Sequence, residues 1–285
     1  MSGTVSGLSP VATYLQAMTD ESESAATYAK TDGAEKNYIS TFEEDAVNIK
    51  SASSLMSNYK ALAVVLGAYG LSSIQNETAL VKDLLTQDPS SASSVAAKSA
   101  NPAWQKFAAA FSVWNQASSS SSASSSSPFS DASSVSSIVT KYEESKYESH
   151  LNDSSNGSGI GNALYFTRAM TTDMTLSQIM SDSTLLKVVE TVSGYDPTEF
   201  GALDYDQQVQ MLKKSVNLSD FSSTEKIQKY AERYLAMLQI TPQTSSQPAT
   251  LLSLYGSDGS NTNVALSVFG ISSASTSSLI TALFG

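Results

Sequence analysis

Ser54-Leu55-Met56-Ser57-Asn58-Tyr59-Lys60-Ala61-Leu62-Ala63-Val64-Val65-Leu66-Gly67-Ala68-Tyr69-Gly70 decides the fold class of this chain. Leu55, Tyr59, Leu62 and Leu66 recur at spacings of three and four, which places them on one face of an α-helix. Gly70 closes the run, because a glycine takes the positive φ of a helix C-terminus without a Cβ clash. The segment predicts a single helix from Ser54 to Tyr69.

Working outward, the same period continues in both directions. Ser9-Pro10 predicts a helix start, with serine as the cap and proline at the first helical position. Val11, Tyr14, Leu15 and Met18 follow on one face, and Asp32-Gly33 ends the unit. A second helix is expected from Ala34 to Lys50, with Tyr38, Phe42, Val47 and Ile49 as its apolar contacts. Beyond Gly70, Asn76 is expected to cap a helix carrying Leu80, Val81, Leu84 and Leu85, which Asp88-Pro89 ends. Asn101-Pro102 repeats the cap-plus-proline start. Trp104, Phe107, Phe111 and Trp114 then line one face, read as helix core, with a partner-binding groove filler as the other reading.

Between Ala117 and Ser137, serine takes 14 of 21 positions. Such a stretch buries too little apolar surface to offset its ordering entropy, so it reads as a flexible linker. Past it come a helix near Val135 with Ile138, Val139, Tyr142 and Tyr147, a helix over Ala163 to Thr172, and one over Ser177 to Val192 stopped by Gly194. Asp206 is expected to cap a helix carrying Val209, Met211 and Leu212. Ser222 and Glu225 match a capping box ahead of Ile227, Tyr230, Tyr234 and Leu238. From Thr244 onward, apolar islands interrupt a polar tail. The expected organisation is an N-terminal helical or flexible segment (1–34), a first helical repeat (35–116), a serine-rich linker (117–134), a second repeat (135–240) and a tail (241–285). The fold class is all-α, with two similar repeats.

The repeat rests on particular residues. Leu55-Met56-Ser57-Asn58 corresponds to Ile179-Met180-Ser181-Asp182. At the same offset of 124, Leu62, Val64, Val65 and Gly70 meet Leu186, Val188, Val189 and Gly194, and Phe42 meets Phe166. With small changes of offset, Leu84 pairs with Leu212, and Phe107 and Phe111 pair with Tyr230 and Tyr234.

The run from Ser57 to Leu71, with Leu80 to Pro89 and Tyr230-Ala231-Glu232-Arg233-Tyr234-Leu235, resembles the bacterial "domain of unknown function 1217" family. The resemblance covers about Tyr38 to Leu238, with the serine stretch as an insertion. It implies a helical protein whose gene stands beside flagellar genes. No catalytic residues are recognised in that family, so the resemblance carries none over to this chain.

Composition narrows the function further. The 27 acidic residues outnumber the 16 basic ones, for a net charge of −11. That charge repels phosphate backbones and anionic lipid, so no nucleic-acid partner is expected. Without cysteine there is no disulfide, thiol nucleophile or cysteine metal site. The longest apolar run, Leu62 to Leu71, falls short of a membrane span, and no cleavable signal peptide is expected. The uncharged start, Met1 to Thr19, reads either as a tail leading into a helix or as a signal for a flagellar-type secretion channel.

No catalytic, cofactor-binding or metal residue stands out. His150, the only histidine, reads as a surface residue, with no nucleophile elbow to serve. Asp204-Tyr205-Asp206 and Glu43-Glu44-Asp45 read as caps and solvated charge. Asp258 to Asn263 lacks the closing glutamate of a calcium loop. Gly157-Ser158-Gly159 with Gly161 follows no strand, so it fails the condition for a dinucleotide site. The expected function is a non-enzymatic structural or interaction protein of the flagellum or its export system, with a flagellar component or the export machinery as partner. The compartment is then the cytoplasm or the exported fraction. A cytoplasmic chaperone or regulator that holds a client helix in a groove is the alternative. An enzyme is the remote one, and a deep pocket with converging ionisable groups would revive it.

Overall fold

The computed structural model of the chain describes residues 9–116, 127–153 and 159–240, all within one compact unit, Met1–Pro242. Among the described residues every regular element is a helix and no strand occurs. The first half holds α1 (Pro10–Thr19), α2 (Glu21–Thr31), α3 (Gly33–Asp45), α4 (Ala52–Ser57), α5 (Tyr59–Ala68), α6 (Thr78–Thr86), α7 (Val95–Lys98), α8 (Pro102–Ala110) and α9 (Val113–Gln116). The second holds α10 (Ala132–Asp153), α11 (Ile160–Ala169), α12 (Leu176–Ser181), α13 (Ser183–Val192), α14 (Pro197–Gly201), α15 (Tyr205–Ser215) and α16 (Thr224–Ile240).

The starts at Ser9-Pro10 and Asn101-Pro102 form as the sequence predicts. Ser9 Oγ accepts from the Ala12 N–H at 3.3 Å, and Asn101 Oδ1 accepts from the Ala103 and Trp104 N–H groups. Other boundaries differ. The helix expected over Ser54 to Tyr69 is two helices broken at Asn58, whose backbone leaves the helical region (φ −101°, ψ 92°). Its side chain takes the Ala61 N–H at 3.1 Å and donates to Asp45 at 2.7 Å. A short polar side chain that bonds nearby backbone competes with the helix ladder, and here it wins. Asp182 breaks the helix expected over Ser177 to Val192 in the same way, accepting from the Thr184 and Leu185 N–H groups at 3.0 Å.

The break turns Tyr59 outward, 58% exposed, and the helix expected to reach Lys50 stops at Asp45, leaving Val47 62% exposed on a 3-10 turn. Three caps also shift by one or two residues. Glu77 rather than Asn76 precedes α6, without a side-chain bond. Asp204 rather than Asp206 caps α15, in a reciprocal box with Gln207. Ser223 rather than Ser222 caps α16, accepting from the Lys226 N–H at 3.3 Å.

Two helix ends are closed alike. Gly70 and Gly194 carry φ of +72° and +79°. Leu71 and Gly70 donate to Leu66 and Gly67, and Tyr195 and Gly194 donate to Glu190 and Thr191. Each residue of the second set follows its counterpart by 124 positions. This is the six-to-one closure of a helix whose following residue is left-handed.

Two hydrophobic cores result. The first gathers Phe42, Leu55, Val65, Leu84, Phe107 and Phe111, joined by Phe129 from within the serine-rich stretch and by Ile138 and Tyr142 from beyond it. The second gathers Phe166, Ile179, Val189, Leu212, Tyr230 and Tyr234, joined by Tyr14 and Ala17 from the N-terminal helix. Each core therefore borrows a segment that leads into the other half. Phe129 meets Phe42 edge-on at 5.4 Å, and the Tyr14 hydroxyl lies 2.6 Å from that of Thr167.

These contacts revise two expectations. Tyr14 is fully buried, so Pro10–Thr19 belongs to the second core and not to a tail. Phe129, expected in the linker, is 1% exposed. Burying an aromatic side chain is worth about 2–3 kcal/mol, enough to seat an otherwise polar stretch. The remaining linker residues 117–126, the start at 1–8 and the tail at 241–285 lie outside the described residues. Among the described residues no helix is long and apolar enough to cross a membrane.

Candidate functional site

Helix α10 runs between the halves, packing against α2, α5 and α11. Its approach to α11 depends on Gly161, where an added Cβ would fall 1.8 Å from the Glu148 carbonyl oxygen. That closeness sets Arg168 of α11 against Glu148 of α10. Arg168 donates Nε at 3.2 Å and Nη2 at 2.8 Å to Oε1, and Nη2 to Oε2 at 2.8 Å. Glu148 is 4% exposed.

Glu21, in the first turn of α2, brings a second carboxyl to hydrogen-bonding contact with Glu148. Its Oε1 is buried without a hydrogen bond to any described residue. Two carboxylates offer only acceptors, so the contact is satisfied when the pair shares a proton. Desolvation pushes both acids above the usual carboxyl range, the Arg168 guanidinium opposes the rise, and the facing acid adds to it at Glu148. Burial works against the Arg168 charge, and Glu148 more than offsets it.

Tyr165 of α11 extends the cluster. Its hydroxyl donates to Asp182 Oδ2 at 2.6 Å, and burial followed by the Asp182 charge raises its pKa. Arg168 stands over the Tyr165 ring at 5.7 Å. Asn101 Nδ2 crosses between the halves to the Ser181 carbonyl at 2.8 Å. On the other side of α10, Tyr142 donates to Glu35, and Lys146 pairs with the same carboxylate at 3.2 Å.

Asn101, Glu148, Tyr165, Arg168, Ser181 and Asp182 border a cleft where the halves meet. One cavity of about 400 Å³ is lined by Tyr69, Lys106, Lys141, Glu144, Tyr165 and Arg168, among others. A neighbouring one of similar volume is lined by Asn101, Glu148, Asn152 and Ser181. Gly70, Ala103, Tyr165 and Asp182 border both. A second buried acid lies away from the cleft: Glu190 of α13 is 4% exposed. Burial pushes its carboxyl up to about 7, against the pull of Lys187 and helped by Asp196.

Of the residues weighed from sequence, Gly161 lies at the site, Gly157 and Ser158 lie outside the described residues, and the other described ones stand elsewhere. His150 stacks on Tyr28 at 4.5 Å. Asp204 caps α15, Asp45 holds Asn58, and Glu43 and Glu44 are exposed. No group of three metal-ligating residues forms among the described residues, and Asp258 to Asn263 lie outside them. Sequence reading passed over Glu21, Glu148, Tyr165 and Arg168. The available signal was Arg168 itself, one of two arginines in the chain, set among Leu164, Phe166 and Met170.

An all-helical protein with two cores, each taking in a helix from the other half, and a charged cleft where they meet, is the class that fold and site define. The family model described as "Protein of unknown function (DUF1217)" matches residues 68–227, and the chain belongs to that family. A protein from Agrobacterium tumefaciens, solved by X-ray crystallography, shares the fold with a TM-score of 0.65 and 22% identity, over 81% of this chain and 93% of that one. No curated protein matches the chain.

Proposed function

We propose that the chain is a non-enzymatic structural or interaction protein of the bacterial flagellum or its export system. The observation that carries this reading is how the cleft's buried acids are spent. Glu148 and Arg168 hold one another, and Asp182 is taken by Tyr165 and the start of α13. Groups that cement helices to one another are poorly placed to exchange protons with a substrate. The flagellar part rests on the gene neighbourhood that the sequence resemblance implies.

The two halves are read as a duplication. Supporting it, α4 and α12, then α5 and α13, begin and end 124 positions apart. The breaks at Asn58 and Asp182 and the stops at Gly70 and Gly194 keep that offset. In this reading each copy has exchanged its leading helix with the other, and the serine-rich stretch 117–134 joins them.

One observation favours a second, catalytic reading: two carboxyls of raised pKa meet beside cavities of about 400 Å³. The experiment is fractionation of the tagged chain in its native bacterium. Recovery with flagellar basal bodies or in the exported fraction is expected. A chain confined to the cytoplasm and bound to one client would replace this reading with a chaperone or regulator. A chain confined there without a client leaves the catalytic reading in its place.

A further inference from the structure

The first cavity of the cleft is unusual in what its lining has left to offer. Among the described residues there are two ion pairs, Lys146–Glu35 and Arg168–Glu148. Lys106 of α8 and Lys141 of α10 line the cavity and belong to neither. Lys141 stands over the Tyr69 ring at 5.6 Å. Arg168 uses Nε and Nη2 on Glu148, and no hydrogen bond from its Nη1 to a described residue is formed.

The acceptors are largely committed. Asp182 receives two backbone N–H groups and the Tyr165 hydroxyl, and Glu144 receives the Ser22 hydroxyl at 2.6 Å. The free polar capacity is thus mostly N–H donors, on helices from both halves, in a chain whose net charge is −11. The rest of the lining includes Tyr69, Pro102, Ala103, Met174 and Leu185. Convergent donors on an apolar wall are the pattern of a small-molecule site, and about 400 Å³ is within the size of such sites.

We infer that this cavity binds a small organic anion, a carboxylate with an apolar body, whose charge sits between Lys106 and Lys141 and whose body lies on Tyr69, Met174 and Leu185. Glu144 in the lining disfavours a polyanion, because a second negative charge would meet it. Since the walls come from α5, α8, α10, α11 and α13, an occupied cavity would tie the two halves together. This site goes beyond the flagellar reading and stands or falls apart from it.

The test is an amide NMR titration of the full chain with sodium benzoate, its neutral isostere benzamide, and inorganic phosphate. Benzoate is expected to give saturable shifts at Gly70, Ala103 and Leu185. Benzamide and phosphate are each expected to bind about tenfold or more weakly, and Lys106→Gln and Lys141→Gln each to weaken benzoate about fivefold with the spectrum otherwise unchanged. Benzamide binding as well as benzoate would remove the anion from the proposal, and phosphate binding as well would remove the apolar body. Shifts elsewhere only, or none that saturate, would overturn the site.

Discussion

Replacing Glu190 isolates one buried charge. The wild-type carboxyl is 4% exposed, and burial holds its pKa near 7. In the unfolded chain a glutamate loses its proton near pH 4.3. Between those values the folded chain keeps a proton that the unfolded chain has released, so stability falls as pH rises and levels off above about 7. The slope is about 1.4 kcal/mol per pH unit, so the loss between pH 5.5 and pH 8 is up to about 2 kcal/mol. Glu190→Gln mimics the protonated acid at every pH. It is expected to match wild type below about pH 4, to exceed it by up to about 2 kcal/mol at pH 5.5, and to exceed it by up to about 4 kcal/mol at pH 8. Glu190→Leu, which copies the buried Leu66 at the position 124 earlier, should gain about 1 kcal/mol more from apolar burial. Urea unfolding followed by circular dichroism measures all three chains, and both pH values stay above the sequence pI of about 4.5. A difference between wild type and Glu190→Gln that is the same at both pH values refutes the reasoning. So does a loss of stability at pH 8, because the carboxylate would then be ionised and well partnered.

Arg168→Met strands Glu148 beside Glu21 and should cost about 3–5 kcal/mol, whereas the double variant with Glu148→Leu should recover most of it in the same unfolding assay. Gly161→Ala places a methyl 1.8 Å from a backbone oxygen. It should destabilise by about 3 kcal/mol or more, while Gly201→Ala, with nothing within 4 Å, should move the melting temperature little. Tyr14→Ala should cost about 3–5 kcal/mol, and the melting temperature should fall correspondingly. An unchanged melting temperature would mean that α1 is not part of the second core.

Helix class, most helix positions and both stop glycines were legible because they depend on local spacing and on backbone conformations that glycine favours. The breaks at Asn58 and Asp182 were not, since an apolar face continued through them while a single side chain decided the local contest. Phe129 and Tyr14 looked like residues of a linker and of an end because their partners, Phe42 and Thr167, are distant in sequence. The charged cleft was hidden for the same reason. Glu21, Glu148 and Arg168 lie on three helices, and no motif spans the separation.

The helices that cross from one half into the other's core put a clock on synthesis. Tyr14 leaves the ribosome 153 residues ahead of its hydroxyl partner, Thr167. Helix α16, which completes the second core, is made last among the described elements. The first core must likewise wait for Tyr142. The first core cannot close before Tyr142 is made, nor the second before Leu235, so the nascent protein carries unpaired apolar helices for much of its translation. Contacts this distant slow folding and lengthen the exposure to aggregation. A chain assembled in this order stays open to misassociation until its late helices are made.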